Sequence, residues 1–408
     1  MQGTDANDFF QSDRDLEIQR KRELKKAQLL SDASKTKHDA LIRSTSKVLA
    51  FVISTNKLTK AYIGESGHVA RRIDLETGSS EIIYRGHKGP VTCVAVESDP
   101  STGSDRFVYT GSWDKTIKKF DAETGQLVAT FIGHSDFIKT ILLVPLAPNS
   151  NTLALLSGSS DNTIKKWDPS TATLLQTWKS HTRPVESLAL SIVSNDVNND
   201  LKYRVYSASS DTTIRVWDLF AGKELEVLKG HLTSVYDLVI VGAWEDGEQE
   251  LWSVSADKSA KRWNLEAGIP DSSFEHPDFV KCVCVHGSYV ITGCRDENIR
   301  VFDLTSEKCI NVIEGHFGEV SSLVVAGGRL WSASLDATIR SWNLQEILQP
   351  NAAAVESAFN HESQNAADIA ASDAAAAGFV ESEFPTGSGS MLTEDEEREL
   401  AELMDEED

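Results

Sequence analysis

A chain of 408 residues that is 40% hydrophobic and 25% charged is too long for one ordinary compact core and too apolar to be disordered throughout. Its 62 acidic and 40 basic side chains leave a formal charge of −22, which argues against a surface built wholly for nucleic acid, because phosphate binding needs a dominant basic footprint. The charge is uneven: residues 1–44 carry 8 acids and 9 bases, 45–349 carry 38 and 30, and 350–408 carry 16 and 1.

The chain opens MQGTDANDFF, polar and acidic where a secretory signal needs a basic start and an apolar run, so export is not expected. Residues 1–37 read as a charged extension, partly helical. Arg14 to Leu30 has helix-forming composition and a Glu17/Lys21 pair, but Leu16, Leu24, Leu29 and Leu30 make no single stripe. That suits a solvated helix or a short partner-binding one. Phe9 and Phe10 ahead of it are weak signs of a linear motif.

From residue 38 to 349 the chain repeats itself, a pattern that decides the fold before any local propensity does. SGSSDNTIKKWD (Ser157 to Asp168) recurs as SASSDTTIRVWD, SVSADKSAKRWN, TGCRDENIRVFD and SASLDATIRSWN, with TGSWDKTIKKFD before them. Each unit has an acid six residues before an aromatic: Asp114/Phe120, Asp161/Trp167, Asp211/Trp217, Asp257/Trp263, Asp296/Phe302 and Asp336/Trp342. Four residues before each acid stands a hydroxyl (Thr110, Ser157, Ser207, Ser253, Thr292, Ser332), and upstream of each unit a histidine (His87, His134, His181, His231, His276, His316). These four groups can form a hydrogen-bonded chain that pins a loop to two strands. The two units with Phe lose the indole donor, which predicts weaker tetrads.

This pattern resembles the WD-repeat family over about residues 40–349, and the resemblance implies an all-β, seven-bladed propeller. The segment KLTKAYIGESGHVARRIDLETG reads as a degenerate first blade, with Ile73-Asp74 in the Trp-Asp place but neither acid nor aromatic, and His68 too near Asp74 to serve. Each unit supplies short β-branched runs, such as VTCVAV, RFVYTGS, TIKKF and LVATFIG, for four strands of one sheet. Aligning HDALIRSTSKVLAFV with LEVLKGHLTSVYDLV puts Ser44 at the histidine position and makes His38 to Ile42 the outer strand of the last blade. Ala354 to Phe359 is the other candidate for that edge.

No motif carries catalysis: there is no phosphate-cradling glycine loop, nucleophile elbow or HExxH. The histidines, aspartates and hydroxyls that look catalytic are tetrad members. Thr140 to Ser160, the longest uncharged stretch, holds Pro145, Pro148, Asn149 and Asn151, so no membrane span is expected. Five cysteines are too few for a disulfide scaffold, which points to a reducing cytoplasmic or nuclear compartment. Cys282, Cys284 and Cys294 with His276 are the one candidate zinc set, but buried apolar cysteine is the simpler reading, so no metal or cofactor is expected.

In propellers resembling the G-protein β subunit, partners are met by the third and fifth residues after the histidine and by the residue before the acid. The resemblance transfers these roles to Pro90, Thr92 and Trp113; Phe137, Lys139 and Ser160; Pro184, Glu186 and Ser210; Ser234, Tyr236 and Ala256; Phe279, Lys281 and Arg295; Glu319, Ser321 and Leu335. Lys47 and Leu49 follow for the first blade. One end of the disc would then gather Trp113, Phe137, Tyr236 and Phe279 with Lys139, Lys281 and Arg295, read as exposed aromatics and cations of the kind enriched at binding hot spots.

Residues 350–390 are rich in Ala, Ser, Asn and Gly and read as a disordered linker. Residues 391–408, MLTEDEERELAELMDEED, read as an acidic helix that forms on docking. Thr393 and Glu396 make a capping box, and Leu400, Leu403 and Met404 fall on one face for a basic partner. Thr393 also stands ahead of acids as an acid-directed kinase would need.

The function expected is a non-enzymatic scaffold that holds a protein or peptide with acidic and apolar groups. The alternatives are a substrate receptor of a cullin-type ubiquitin ligase, or an assembly factor for basic clients such as histones or ribosomal proteins. No WDxR signature supports the ligase reading: the fourth position is Glu123, Ser170, Phe220, Glu266, Thr305 or Gln345.

Overall fold

The computed structural model describes residues 40–99, 101–148, 150, 152–194, 201–242 and 249–355. They form seven four-stranded antiparallel sheets that follow one another around a ring. Blades 1 to 6 span residues 48–84, 91–132, 138–179, 185–229, 235–275 and 280–313, each running from its innermost strand to its outermost. Blade 7 takes three strands from residues 320–343, and its fourth is Ala40–Arg43 from the start of the described chain. Ala40 pairs with Ser341 and Arg43 with Thr338, so the edge expected for the amino-terminal segment is filled by it. Ala354 does not compete for that edge, because its N–H turns back to the Asn351 carbonyl. Two serines fasten the same seam, Ser321 to the Val48 carbonyl at 2.7 Å and Ser322 to that of Phe51 at 3.2 Å.

Alternation along the strands puts one apolar row on each side of a sheet, and both rows are buried because each blade lies between two others. The cluster of Val144, Leu156, Ile164, Trp178, Val185, Val205 and Trp217 therefore draws on blades 3 and 4 together. Glycine in the second strand permits this close approach. A Cβ on Gly158 would lie 2.7 Å from Val185 Cγ1 of the next blade, and one on Gly111 would lie 2.6 Å from Ile138 Cγ2.

The aspartate of each Trp-Asp pair caps the turn into the outer strand. Asp168 accepts the Ser170 N–H at 2.8 Å, Asp218 those of Phe220 and Ala221 at 2.9 and 2.7 Å, and Asn264 serves equally, while Asn343 caps the short helix that follows blade 7. The cation before the aromatic, or before Ile73 in blade 1, reaches the following blade: Arg72 to the Ala122 carbonyl at 3.2 Å, Lys119 to Pro169 at 3.1 Å and Lys166 to Leu219 at 3.2 Å. After blade 7 a short helix, Leu344–Ile347, buries Leu344 and Ile347 against the core of blades 6 and 7, and Asn311 donates to the Ile347 carbonyl at 2.9 Å.

No helix among the described residues is long and apolar enough to cross a membrane. The extension of residues 1–37, the linker, and the docking helix with Leu400, Leu403 and Met404 lie outside the described residues.

Candidate interaction face

The loops at one end of the ring, those between second and third strands and those entering each new blade, are held by the tetrads. In blade 3 His134 Nε2 lies 2.7 Å from Ser157 Oγ and Nδ1 2.7 Å from Asp161 Oδ2, while Trp167 Nε1 donates to Ser157 Oγ at 2.8 Å. One arrangement uses every proton: indole to hydroxyl, hydroxyl to imidazole, imidazole to carboxylate. His181–Ser207–Asp211–Trp217, His231–Ser253–Asp257–Trp263 and His316–Ser332–Asp336–Trp342 repeat it within 2.7–3.0 Å.

Asp161 also accepts the Ser135 N–H at 3.1 Å and the Thr163 hydroxyl at 2.6 Å. Burial alone would disfavour its charge, but the bonds from His134 and Thr163 outweigh burial and hold the carboxyl well below the usual carboxylate range. The same balance holds Asp114, Asp211, Asp257 and Asp336 low. A strongly acidic, fully engaged carboxylate is a poor general base; its role here is to fix a loop.

The Phe blades diverge. Blade 2 keeps its contacts, with His87 2.7 Å from both Thr110 and Asp114. In blade 6 His276 still meets Thr292 at 2.8 Å, but its Nδ1 faces the Phe274 carbonyl at 3.0 Å and Arg300 takes Asp296 through two bonds of 3.1 and 2.6 Å. Burial, with Arg300 adding to it, pushes His276 down to about 4. Blade 1 has its own device, which the repeat alignment does not reveal. Glu65, fully buried, receives Ser44 Oγ and pairs with Arg71 Nε at 2.6 Å. It occupies the place of Ser112, Ser159, Ser209, Ser255 and Ser334 in other blades.

On this frame the partner-contact positions come together in a regular way. In each blade the residue before the acid donates its backbone N–H to the third residue after the histidine: Trp113 to Pro90, Ser160 to Phe137, Ser210 to Pro184, Ala256 to Ser234, Arg295 to Phe279 and Leu335 to Glu319, at 2.9–3.0 Å. Blade 1 follows with Ser66 to Lys47 at 3.0 Å.

The side chains then pair, mostly across blades. Trp113 stacks on Phe137 with centroids 5.1 Å apart at 20°. Lys281 lies 3.9 Å over the Tyr236 ring, and Arg295 lies 5.1 Å over that of Phe279. The aromatic residues form two groups, over blades 2–3 and blades 5–6. All seven are half-buried, which corrects the reading of them as exposed side chains: each ring is covered on one face by its pair partner. Lys139 is also answered internally by Glu186 at 3.5 Å, and Lys281 by Glu319 at 3.4 Å.

The most exposed large apolar residue at this end is Leu232, 84% exposed, just after His231. Sequence reasoning passed over it, although that position holds Lys88, Ser135, Thr182, Pro277 and Phe317 elsewhere. Another unforeseen residue is Asp237, a carboxylate joining three inner strands. It accepts from Ser187 Oγ at 3.0 Å and the Val283 N–H at 3.3 Å, and burial pushes it up to about 6.

The blade 6 thiols separate. Cys282 packs with Ile291, Val320 and Leu323, and Cys294 packs with Val254, Phe274 and Val280. Burial pushes Cys284 up to about 11 and Cys93 up to about 12. No group of three metal-ligating side chains occurs among the described residues.

The family description WD domain, G-beta repeat matches residues 78–121, 125–168, 172–218, 269–303 and 307–343. An uncharacterised WD repeat-containing protein of Schizosaccharomyces pombe is 33% identical over 297 residues, covering 72% of this chain and 78% of that protein. Shorter likenesses reach nuclear distribution protein PAC1 of Zygosaccharomyces rouxii, 32% identical over 97 residues, and cell division control protein 4 of Saccharomyces cerevisiae, 35% identical over 74. These cover 24% and 18% of this chain, and 22% and 10% of the two proteins. The unmatched residues 219–268 hold the complete tetrad of His231, Ser253, Asp257 and Trp263, so the repeat continues where the match lapses. By its repeats, its seven blades and this likeness, the chain belongs to the WD-repeat family.

Proposed function

We propose that the protein is a non-catalytic interaction scaffold whose tetrad-braced end holds a protein or peptide segment with apolar and acidic groups. The observation that carries this reading is the set of half-buried aromatic pairs on that end: Trp113 on Phe137, Tyr236 under Lys281, and Phe279 under Arg295. Rings that already have one face covered are held in place before a ligand arrives, so less conformational entropy is lost on binding. Leu232 adds an apolar projection, and Arg295, stacked over Phe279, places a guanidinium beside that ring where an acidic group of the ligand would be met.

The test is quantitative proximity labelling in cells with the natural chain and with Phe279→Ala/Arg295→Ala. The double variant is expected to lose its main partner by about tenfold or more while its Tm changes by only a few degrees, since both side chains are half-buried surface groups. Unchanged labelling by a stably folded double variant would remove this end as the binding face.

A further inference from the structure

The end of the ring opposite the tetrad loops carries a cavity of about 350 Å³ between blades 3 and 4. Its walls are Leu146, Ala147, Pro148, Leu175 and Phe220, with Lys166 and Gln176 as the polar groups. Lys166 is only 4% exposed, and its amine donates to the Leu219 carbonyl at 3.2 Å and faces the Phe220 ring at 5.3 Å.

The equivalent cations of the two preceding blades show what this one lacks. Arg72 is answered by Glu81 at 2.9 Å and Glu123 at 3.0 Å. Lys119 sits 3.7 Å over the Phe107 ring and 5.5 Å from that of Tyr109. Lys166 has a more distant ring, and among the described residues no carboxylate lies within ion-pairing distance of it. An ammonium offers three donors, and a buried cation on which a carboxylate, Asp218, acts only from beyond ion-pairing distance is costly. Burial accordingly pulls the Lys166 amine below the ordinary lysine value.

Apolar walls around a buried ammonium that makes no contact ion pair among the described residues call for a carboxylate carried on an apolar body. The surroundings favour a polypeptide source. Leu174 and Leu175 are exposed beside the cavity, on an outer strand, Thr173–Lys179, whose far edge pairs with no strand among the described residues. An incoming main chain would find hydrogen-bonding groups along that edge, which a free fatty acid would not use. We propose that this cavity binds the free carboxyl terminus of a peptide ending in an apolar residue, with Lys166 receiving the carboxylate and Leu146, Leu175 and Phe220 receiving the last side chain. The site is separate from the aromatic pairs, so it stands or falls independently of them.

The experiment is calorimetric titration of the full chain with a hexapeptide ending in leucine as the free acid. The same peptide as the carboxamide and hexanoate serve as comparisons. The free acid is expected to bind at least about tenfold more tightly than the amide, the difference between a charged and a neutral partner for the ammonium. Lys166→Met keeps the aliphatic stem and removes the charge, and is expected to abolish that preference. Leu175→Glu places a competing carboxylate on an exposed wall and leaves Lys166 intact; it is expected to weaken binding by about tenfold, and it decides the matter if Lys166→Met does not fold. Phe279→Ala/Arg295→Ala is expected to bind the peptide normally. Equal binding of acid and amide, no binding at about 1 mM peptide, a folded Lys166→Met that keeps the preference, or binding of hexanoate without the peptide would each overturn the proposal.

Discussion

Blades 2 and 6 lack the same indole, yet only blade 2 keeps its histidine on its carboxylate. Phe120 and Phe302 both leave the hydroxyl without a ring N–H, so the missing tryptophan cannot be the cause. The difference lies in what else serves the acid. Asp114 receives the Lys88 N–H at 3.0 Å and the Thr116 hydroxyl at 2.6 Å. In blade 6 those two places are Pro277, which has no N–H to give, and Asn298, whose side-chain amide reaches Asp296 only at 3.4 Å where Thr116 gives a hydroxyl at 2.6 Å. Arg300 fills the deficit with its two-pronged fork, and the histidine turns to a backbone carbonyl. Arg215 and Arg340 occupy the same place in blades 4 and 7 without displacing the histidine, so arginine alone is insufficient. A tetrad is thus stabilised by the donors around its acid more than by its tryptophan.

The largest expected effect separates a regular blade from blade 6. Asp161→Asn breaks a buried pair and strands His134, at a cost of about 3 kcal/mol in urea unfolding, whereas Asp296→Asn leaves His276 with its present partners and costs about 1 kcal/mol. Equal losses would break the comparison.

Acid titration gives the next effect. His276 is held at about 4 when folded, against an ordinary value of 6.5, so the folded chain binds its proton more weakly than the unfolded one. Stability is therefore full above about pH 6.5 and falls as pH drops toward 4, by up to about 3 kcal/mol. His276→Gln should flatten that slope, and a slope unchanged by the substitution would show that His276 is not its source. The smallest effect comes from rebuilding the donors. Pro277→Ala with Asn298→Thr is expected to return His276 to Asp296, raising the histidine's pKa in NMR titration and adding about 1 kcal/mol. If the pKa stays near 4, Arg300 and not the missing donors controls the blade.

Much of this contrast stood in plain letters. EHPDF, unlike GHKGP and GHSDF, has a proline directly after its histidine, and the meaning of that residue is local: no N–H, no bond. The repeat spacing likewise made six hydroxyls, acids and aromatics legible, because strand length and turn length fix which residues meet inside one blade. Glu65 was not legible, since it answers Ser44 from another strand and at a different offset from the repeat's acid. The half-burial of Trp113, Phe137, Tyr236 and Phe279 was also hidden: for Trp113 and Tyr236 the covering partner comes from the next blade, 24 and 45 residues along the chain.

Short-range periodicity was enough to read the number of blades and the tetrads of blades 3, 4, 5 and 7, whereas the closing strand, with two candidates in the sequence, was settled by the pairing of Ala40–Arg43 with residues 338–341. Which charges are spent inside the molecule depends on how neighbouring blades pack. Lys139 and Lys281 are neutralised by glutamates of the following blade, Arg72 is neutralised likewise, and Lys166 is left beside an open cavity. A repeat fixes where a side chain starts, but the carboxylate it meets belongs to a neighbouring blade whose sequence varies independently.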